Sequence, residues 1–123
     1  MRDRSMVLEL FLEIEEAIRR IERRFIGIRS PDDFICDDNG LDRLDAIAMM
    51  LVAIGENLQR LDKLIDQNLF VQYSNVDWEG AKGVRNLLAH NYFSIDAQEV
   101  YRICADDIPS LKRAIQKIRS NVF

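Results

Sequence analysis

Two long stretches of this 123-residue chain repeat apolar residues at alternating intervals of three and four, a spacing that admits little besides packed helices. The first stripe is Val7, Phe11, Ile14, Ile18, Ile21, Phe25 and Ile28, with Asp, Glu and Arg on the other face. It predicts a long helix ending near Arg29. The second is Leu44, Ile47, Leu51, Ile54, Leu58, Leu61 and Ile65, accompanied by another apolar strip through Met49 and Val52. The run Ala46 to Ile54 is therefore apolar nearly all round. Such a helix is either central in its own bundle or shared with another chain. Glu56 continues the second strip, and a carboxylate in that position needs a partner.

The remaining elements follow from their boundary residues. Ser30-Pro31-Asp32-Asp33 predicts a short helix with Ser30 as N-cap and Pro31 as its first residue. Asp37-Asp38-Asn39-Gly40 has turn composition, and residues 66–76 read as a loop. Asp77 can cap a helix through Trp78, Ala81, Val84 and Leu88, and Asp96-Ala97-Gln98-Glu99 has capping-box spacing. Ala97, Val100, Tyr101 and Cys104 give the helix after Asp96 one apolar side. Asp107-Ile108-Pro109-Ser110 breaks or kinks it, and Leu111, Ile115, Ile118 and Val122 supply the last helix. No stretch alternates with strand period. The expected fold is an all-α bundle of two long and three to four shorter helices, forming one domain over residues 1–123.

Composition narrows the functional classes. With no signal-peptide pattern, and with its longest apolar run too short to span a bilayer, the chain is expected in the cytoplasm and away from membranes. Cys36 and Cys104 have no companion Cys or His at metal-ligand spacing, so they read as reduced thiols and no metal site is expected. The formal net charge of −4 argues against a module that grips nucleic acid through many phosphates. Any nucleic-acid chemistry must depend on a local basic site.

The segment from Gly83 to Asp96 holds the pieces of such a site. Arg85 precedes the only histidine, His90, by five residues, and Tyr92 follows two later. A guanidinium neutralises phosphate, an imidazole moves protons near neutral pH, and a phenol accepts a transferred group. On one straight helix, however, Arg85 and His90 point about 140° apart. Either the helix ends near Ala89 and turns His90 back, or two copies of the chain complete one site. A purely structural alternative makes Arg85 a buried arginine paired with Glu56, with Tyr92 and Phe93 as core aromatics.

The wider pattern resembles the HepT-like branch of the HEPN superfamily. The resemblance rests on Asp77-Trp78, Gly83-Val84-Arg85-Asn86, His90-Asn91-Tyr92-Phe93 and Asp96, with Ile54-Gly55-Glu56 and Asp107-Ile108-Pro109-Ser110-Leu111 in the expected order. It covers nearly the whole chain. It implies an α-helical bundle that forms homodimers, setting two motifs around one cleft, and a metal-independent endoribonuclease acting as a toxin. It further implies a cognate minimal nucleotidyltransferase antitoxin, which uses ATP and magnesium to attach AMP to the motif tyrosine. Carried onto this chain, Arg85 and His90 are catalytic, Asn86 and Glu56 support them, and Tyr92 is the modified residue. No cofactor is implied for the chain itself. The acidic balance leaves Lys82, Arg85 and Arg102 as the nearby cations, a thin set for holding RNA, so substrate affinity should be modest unless a dimer concentrates those charges. The alternative is a catalytically silent helical partner of the nucleotidyltransferase.

Overall fold

The computed structural model describes residues 4–65, 68–73, 76–89 and 92–123, and of residues 68, 69, 85–89 and 92 the backbone alone. Among them are α1 (Arg4–Phe25), α2 (Asp38–Leu64), α3 (Asn68–Val71), α4 (Trp78–Ala89), α5 (Ala97–Arg102) and α6 (Ile108–Val122), and no strand. No helix is long and apolar enough to cross a membrane.

The two sequence stripes meet in the core. Val7, Phe11, Ile14, Ile18 and Ile21 of α1 are buried with Leu44, Ile47, Leu51, Ile54, Leu58 and Leu61 of α2. The helices run antiparallel, because contacts near both ends pair early residues with late ones. Asn57 Nδ2 donates to the Leu10 carbonyl at 3.3 Å and to Glu13 Oε1 at 3.0 Å. At the other end, the Arg43 guanidinium donates to the carbonyls of Arg24 (3.0 Å) and Ile26 (2.7 Å). These carbonyls sit at the C-terminal end of α1, where a cation also meets the negative end of the helix dipole. α6 lies antiparallel on α1, joined by Arg119–Glu15 at 2.8 Å and Lys112–Glu22 at 3.1 Å. Leu111, Ala114, Ile115 and Ile118 bury its inner face.

Several boundaries differ from the sequence reading, each for a local reason. α1 stops at Phe25, not near Arg29, because Gly27 takes a left-handed φ of 84° and the Ile28 N–H turns back to the Phe25 carbonyl. Pro31–Phe34 is a 3-10 turn in which the Ser30 side chain makes no capping bond. Asp33 instead accepts from the Arg29 N–H at 2.7 Å. Asp37-Asp38-Asn39-Gly40 is the start of α2 rather than a turn. Asp37 is its N-cap, accepting from the Gly40 N–H at 2.7 Å. The expected loop contains α3, whose buried Phe70 stacks at 4.6 Å on Trp78. Pro109 does not end the last helical run. A π-turn over Ile103–Asp107 carries α5 into α6, with the Ile108 N–H reaching the Ile103 carbonyl. This inserted residue accommodates a proline that has no N–H to give.

Cys104 is buried and Cys36 exposed, both as free thiols, and burial pushes the Cys104 thiol up to about 12. In the native protein, Cys36 should react with a soluble disulfide reagent while Cys104 stays silent until denaturant is added, as thiol titration would show. A second outcome concerns two helical glycines. A Cβ on Gly40 would collide with the Asp33 carbonyl oxygen, whereas one on Gly83 meets nothing within 4 Å. Gly40→Ala should destabilise the fold by about 1–3 kcal/mol through overpacking. Gly83→Ala should stabilise it by about 0.5–1 kcal/mol through the ordinary helix preference. Urea unfolding of the two variants checks the opposite signs.

Candidate functional site

α4 carries the first half of the motif, and its start and docking are well defined. Asp77 caps it, accepting from the Gly80 N–H at 3.0 Å. Trp78 is buried, and its indole N–H donates to the Tyr73 carbonyl at 3.1 Å. Ala81 and Val84 pack against the core. Lys82 fastens the helix to α2 by an ion pair with Asp62, while its carbonyl accepts from Gln59 Nε2 at 3.3 Å. Desolvation by burial opposes the charge on Lys82, but Asp62 and Glu79 outweigh it and raise its pKa.

Arg85 and Asn86 lie in the second half of α4, which is described as far as Ala89. Their side chains fall outside the described residues, as does all of His90. Tyr92 opens a 3-10 turn, Tyr92–Ser94, and its side chain is also outside the description. Glu56 is half-buried on α2, beside buried Asn57. The expected contact of Glu56 with Arg85, and the orientation of His90 and Tyr92, therefore lie outside the described residues. Whether the helix ends near Ala89 or continues through His90 likewise falls on residues outside the description, though a 3-10 turn is present by Tyr92. Beyond the turn, Asp96 caps α5, accepting from the N–H groups of Gln98 (2.9 Å) and Glu99 (3.3 Å). The reciprocal arm of the expected capping box is not formed, because the Glu99 carboxylate turns to Arg102.

Two expectations around the motif are corrected. Phe93 is not a core aromatic, since it is 106% exposed beside the motif tyrosine. No periodicity marked it, because a lone aromatic after a helix end reads equally as core or surface. Two of the three cations expected to hold RNA are also occupied. Lys82 serves Asp62 and Glu79, and Arg102 is held by Glu99 at 2.7 Å and Asp107 at 3.0 Å. Those carboxylates raise the Arg102 pKa, and Arg102 in turn lowers that of Glu99. Each pair satisfies a charge locally and leaves little net field for a phosphate.

A cavity of about 350 Å³ opens between α4 and the α5–α6 run. Leu51, Ile54, Val84, Ile103 and Leu111 make its walls apolar, and Arg102 reaches it together with Glu99 and Asp107. Its arginine is paired with two acids that line the same cavity, so the positive charge there is offset. Among the described residues, no group of His, Cys, Asp and Glu is arranged to hold a metal ion.

Comparison with known proteins gives one consistent result. The "Ribonuclease HepT-like" family model matches residues 14–118, a span that contains every motif residue named above. The "Probable ribonuclease HepT" of Thermococcus cleftensis is 31% identical over 107 residues, covering 87% of this chain and 90% of its own length. The "Putative RNase TTE0752" of Caldanaerobacter subterraneus is 29% identical over 115 residues, covering 94% of this chain and 92% of its own. The "Putative RNase MJ1380" of Methanocaldococcus jannaschii is 31% identical over 71 residues, covering 58% of this chain and 62% of its own length, so this match spans less than two thirds of that relative. No solved structure matches the chain significantly. With its described residues forming a helical bundle and a family model matching residues 14–118, the chain belongs to the HepT-like ribonuclease family.

Proposed function

We propose that the chain is a metal-independent endoribonuclease, the toxin of a toxin–antitoxin pair, silenced when a cognate minimal nucleotidyltransferase transfers AMP to Tyr92. The observation that supports this reading is that the α-helix carrying Arg85 has given way to a 3-10 turn by Tyr92, within the length of the motif. A straight helix through the whole motif would set His90 about 140° from Arg85. The family membership supplies the reaction class.

The chemistry needs only groups the chain owns. One His90 takes the proton from an RNA 2′-hydroxyl, whose oxygen attacks the adjacent phosphorus. Arg85 neutralises charge growing on the phosphorane oxygens. The P–O5′ bond breaks, and the leaving oxygen takes a proton from the partner's His90. The products are a 2′,3′-cyclic phosphate and a 5′-hydroxyl. Because each chain has a single histidine, acid and base come from two copies, which makes a symmetric dimer part of the mechanism. Asn86 and Glu56 hold the two catalytic groups in place. Exposed Phe93 offers a face on which a base can stack, compensating for the scarcity of free cations. In silencing, the Tyr92 oxygen attacks the α-phosphorus of ATP, pyrophosphate departs and the phenol proton is lost. The bulky anion then fills the cleft and repels phosphate.

A second reading makes the chain a silent binding partner of the nucleotidyltransferase. It is favoured by the ion pairs that neutralise Lys82 and Arg102.

Purified protein should cleave RNA in EDTA, leaving 2′,3′-cyclic ends. Arg85→Ala and His90→Ala should each lose at least ~100-fold of that activity, the scale of a general acid–base or charge-stabilising group, with helical content unchanged. Equal cleavage by wild type and His90→Ala would rule out the nuclease reading. Absence of cleavage in all three favours the silent partner. Incubation with the cognate nucleotidyltransferase, ATP and magnesium should add mass in multiples of AMP and abolish cleavage. Tyr92→Phe should take up none, and unchanged labelling of that variant would show that Tyr92 is not the acceptor.

A further inference from the structure

The outward face of α2 carries a charge pattern that is its own complement. Successive residues turn by about 100° on a helix, which sets one stripe opposite the buried one. That stripe begins with exposed Asp42 and Asp45 and ends with exposed Arg60 and Lys63. Between them Met49 is 58% exposed, and Val52 and Ala53 are half-buried. Several other helical charges are neutralised locally, as in Glu16 with Arg19 and Arg20, Glu15 with Arg119, and Glu99 with Arg102. Among the described residues, none of Asp42, Asp45, Arg60 and Lys63 takes part in an ion pair.

The spacing of these four is symmetric. Asp42 and Lys63 are equally distant in sequence from the point between Val52 and Ala53, and so are Asp45 and Arg60. We propose that α2 packs antiparallel on α2 of a second copy, with the two-fold axis passing between Val52 and Ala53. Asp42 then faces the partner's Lys63, and Asp45 faces the partner's Arg60. Val52 lies against the partner's Ala53, and Met49 beside the partner's Glu56. The contact extends about 30 Å, the length of the face at 1.5 Å per residue. A parallel arrangement in the same register sets acid on acid and base on base. An isologous two-fold contact requires self-complementarity of this kind, and charged flanks on an apolar seam set its register. The α1–α2 groove around exposed Leu12 lacks the property, since its unpaired charge is acidic at Glu9. This inference rests on the dimer that the proposed ribonuclease mechanism needs, and it names the geometry. Gln59 and Asp62, which dock α4 through Lys82, lie on the same helix, so the contact joins two motif-bearing units.

The test is a charge swap read by sedimentation equilibrium of the full chain. Wild type should be a dimer. Asp45→Arg and Arg60→Asp each turn two symmetric attractions into repulsions, and each should weaken the dimer by about tenfold or more. The double variant should return to within about threefold of wild type. Both positions are exposed, so circular dichroism should show unchanged helix, and recovery in the double variant separates charge pairing from misfolding. A wild type that stays monomeric, a dimer indifferent to the single swaps, or a double variant no better than the singles overturns the proposal. RNA cleavage in EDTA is measured in parallel. Cleavage by a dimer that ignores the swaps overturns the register but leaves the nuclease reading standing. A swap-restored dimer that never cleaves upholds the register and removes the nuclease reading.

Discussion

The structure depends on α2 having more than one apolar side. Its buried stripe receives α1 and the core, its flank receives α4, and its remaining face is left to solvent with Met49 exposed at its centre. Burial of each large aliphatic residue on that stripe contributes on the order of 1.5–3 kcal/mol, so the seam with α1 dominates the packing energy. Direction comes from polar atoms. Asn57 ties one end of α2 to Leu10 and Glu13, and Arg43 ties the other to the last carbonyls of α1. A hydrogen-bonded amide inside an otherwise apolar seam tolerates few sliding registers, because a slip leaves it buried and unsatisfied.

The position of α4 follows from that frame. Lys82 and Trp78 fix its first half, one by an ion pair to α2 and the other by stacking on Phe70. The motif begins immediately after this anchored half, at Arg85, and a 3-10 turn is present by Tyr92. A site that needs groups in fixed relation is served by a rigid, well-docked helix carrying the first of them. Capping residues on both sides, Asp77 before α4 and Asp96 after the turn, make the segment between them a defined length of chain.

What was legible in the sequence, and what was not, divides along physical lines. Stripes with helical period in α1, α2 and α6 translate directly into buried faces, because burial of one face is what such periodicity encodes. Asp77 and Asp96 were legible as caps because a carboxylate at a helix start satisfies N–H groups locally. Local composition misled where a distant contact decided the outcome. Asp37 to Gly40 looks like a turn, yet Gly40 is there because the Asp33 carbonyl passes against it, and Asp37 caps a helix that includes it. Gly27 was overlooked because a single glycine in a charged stretch carries no period, although its left-handed backbone ends α1. Around the candidate site, residue types suggest phosphate chemistry, and helical i,i+3 spacing marks Glu79 and Glu99 as partners of Lys82 and Arg102, but it does not reveal Asp62 and Asp107. Those partners come partly from another helix and partly from across the π-turn.

These claimed cations bear on how an acidic chain can act on RNA. A protein that neutralises many phosphates binds RNA at a distance and in a salt-dependent way, independently of its catalytic groups. Here the net charge is negative and the cations nearest the motif, Lys82 and Arg102, are paired with acids, so recognition falls to groups in contact with the scissile phosphate and its neighbouring bases. In the proposed dimer, two copies of Arg85 bring concentrated positive charge to one cleft, and two exposed Phe93 rings offer stacking surface beside it. This division makes the proposed site vulnerable to a small blocking group. A cleft that holds RNA by a few short-range contacts loses its grip when one phosphate-sized anion occupies it. A protein covered with basic residues would still retain the substrate elsewhere. An acidic balance is therefore compatible with the proposed ribonuclease and is the condition under which modification of a single tyrosine suffices to silence it.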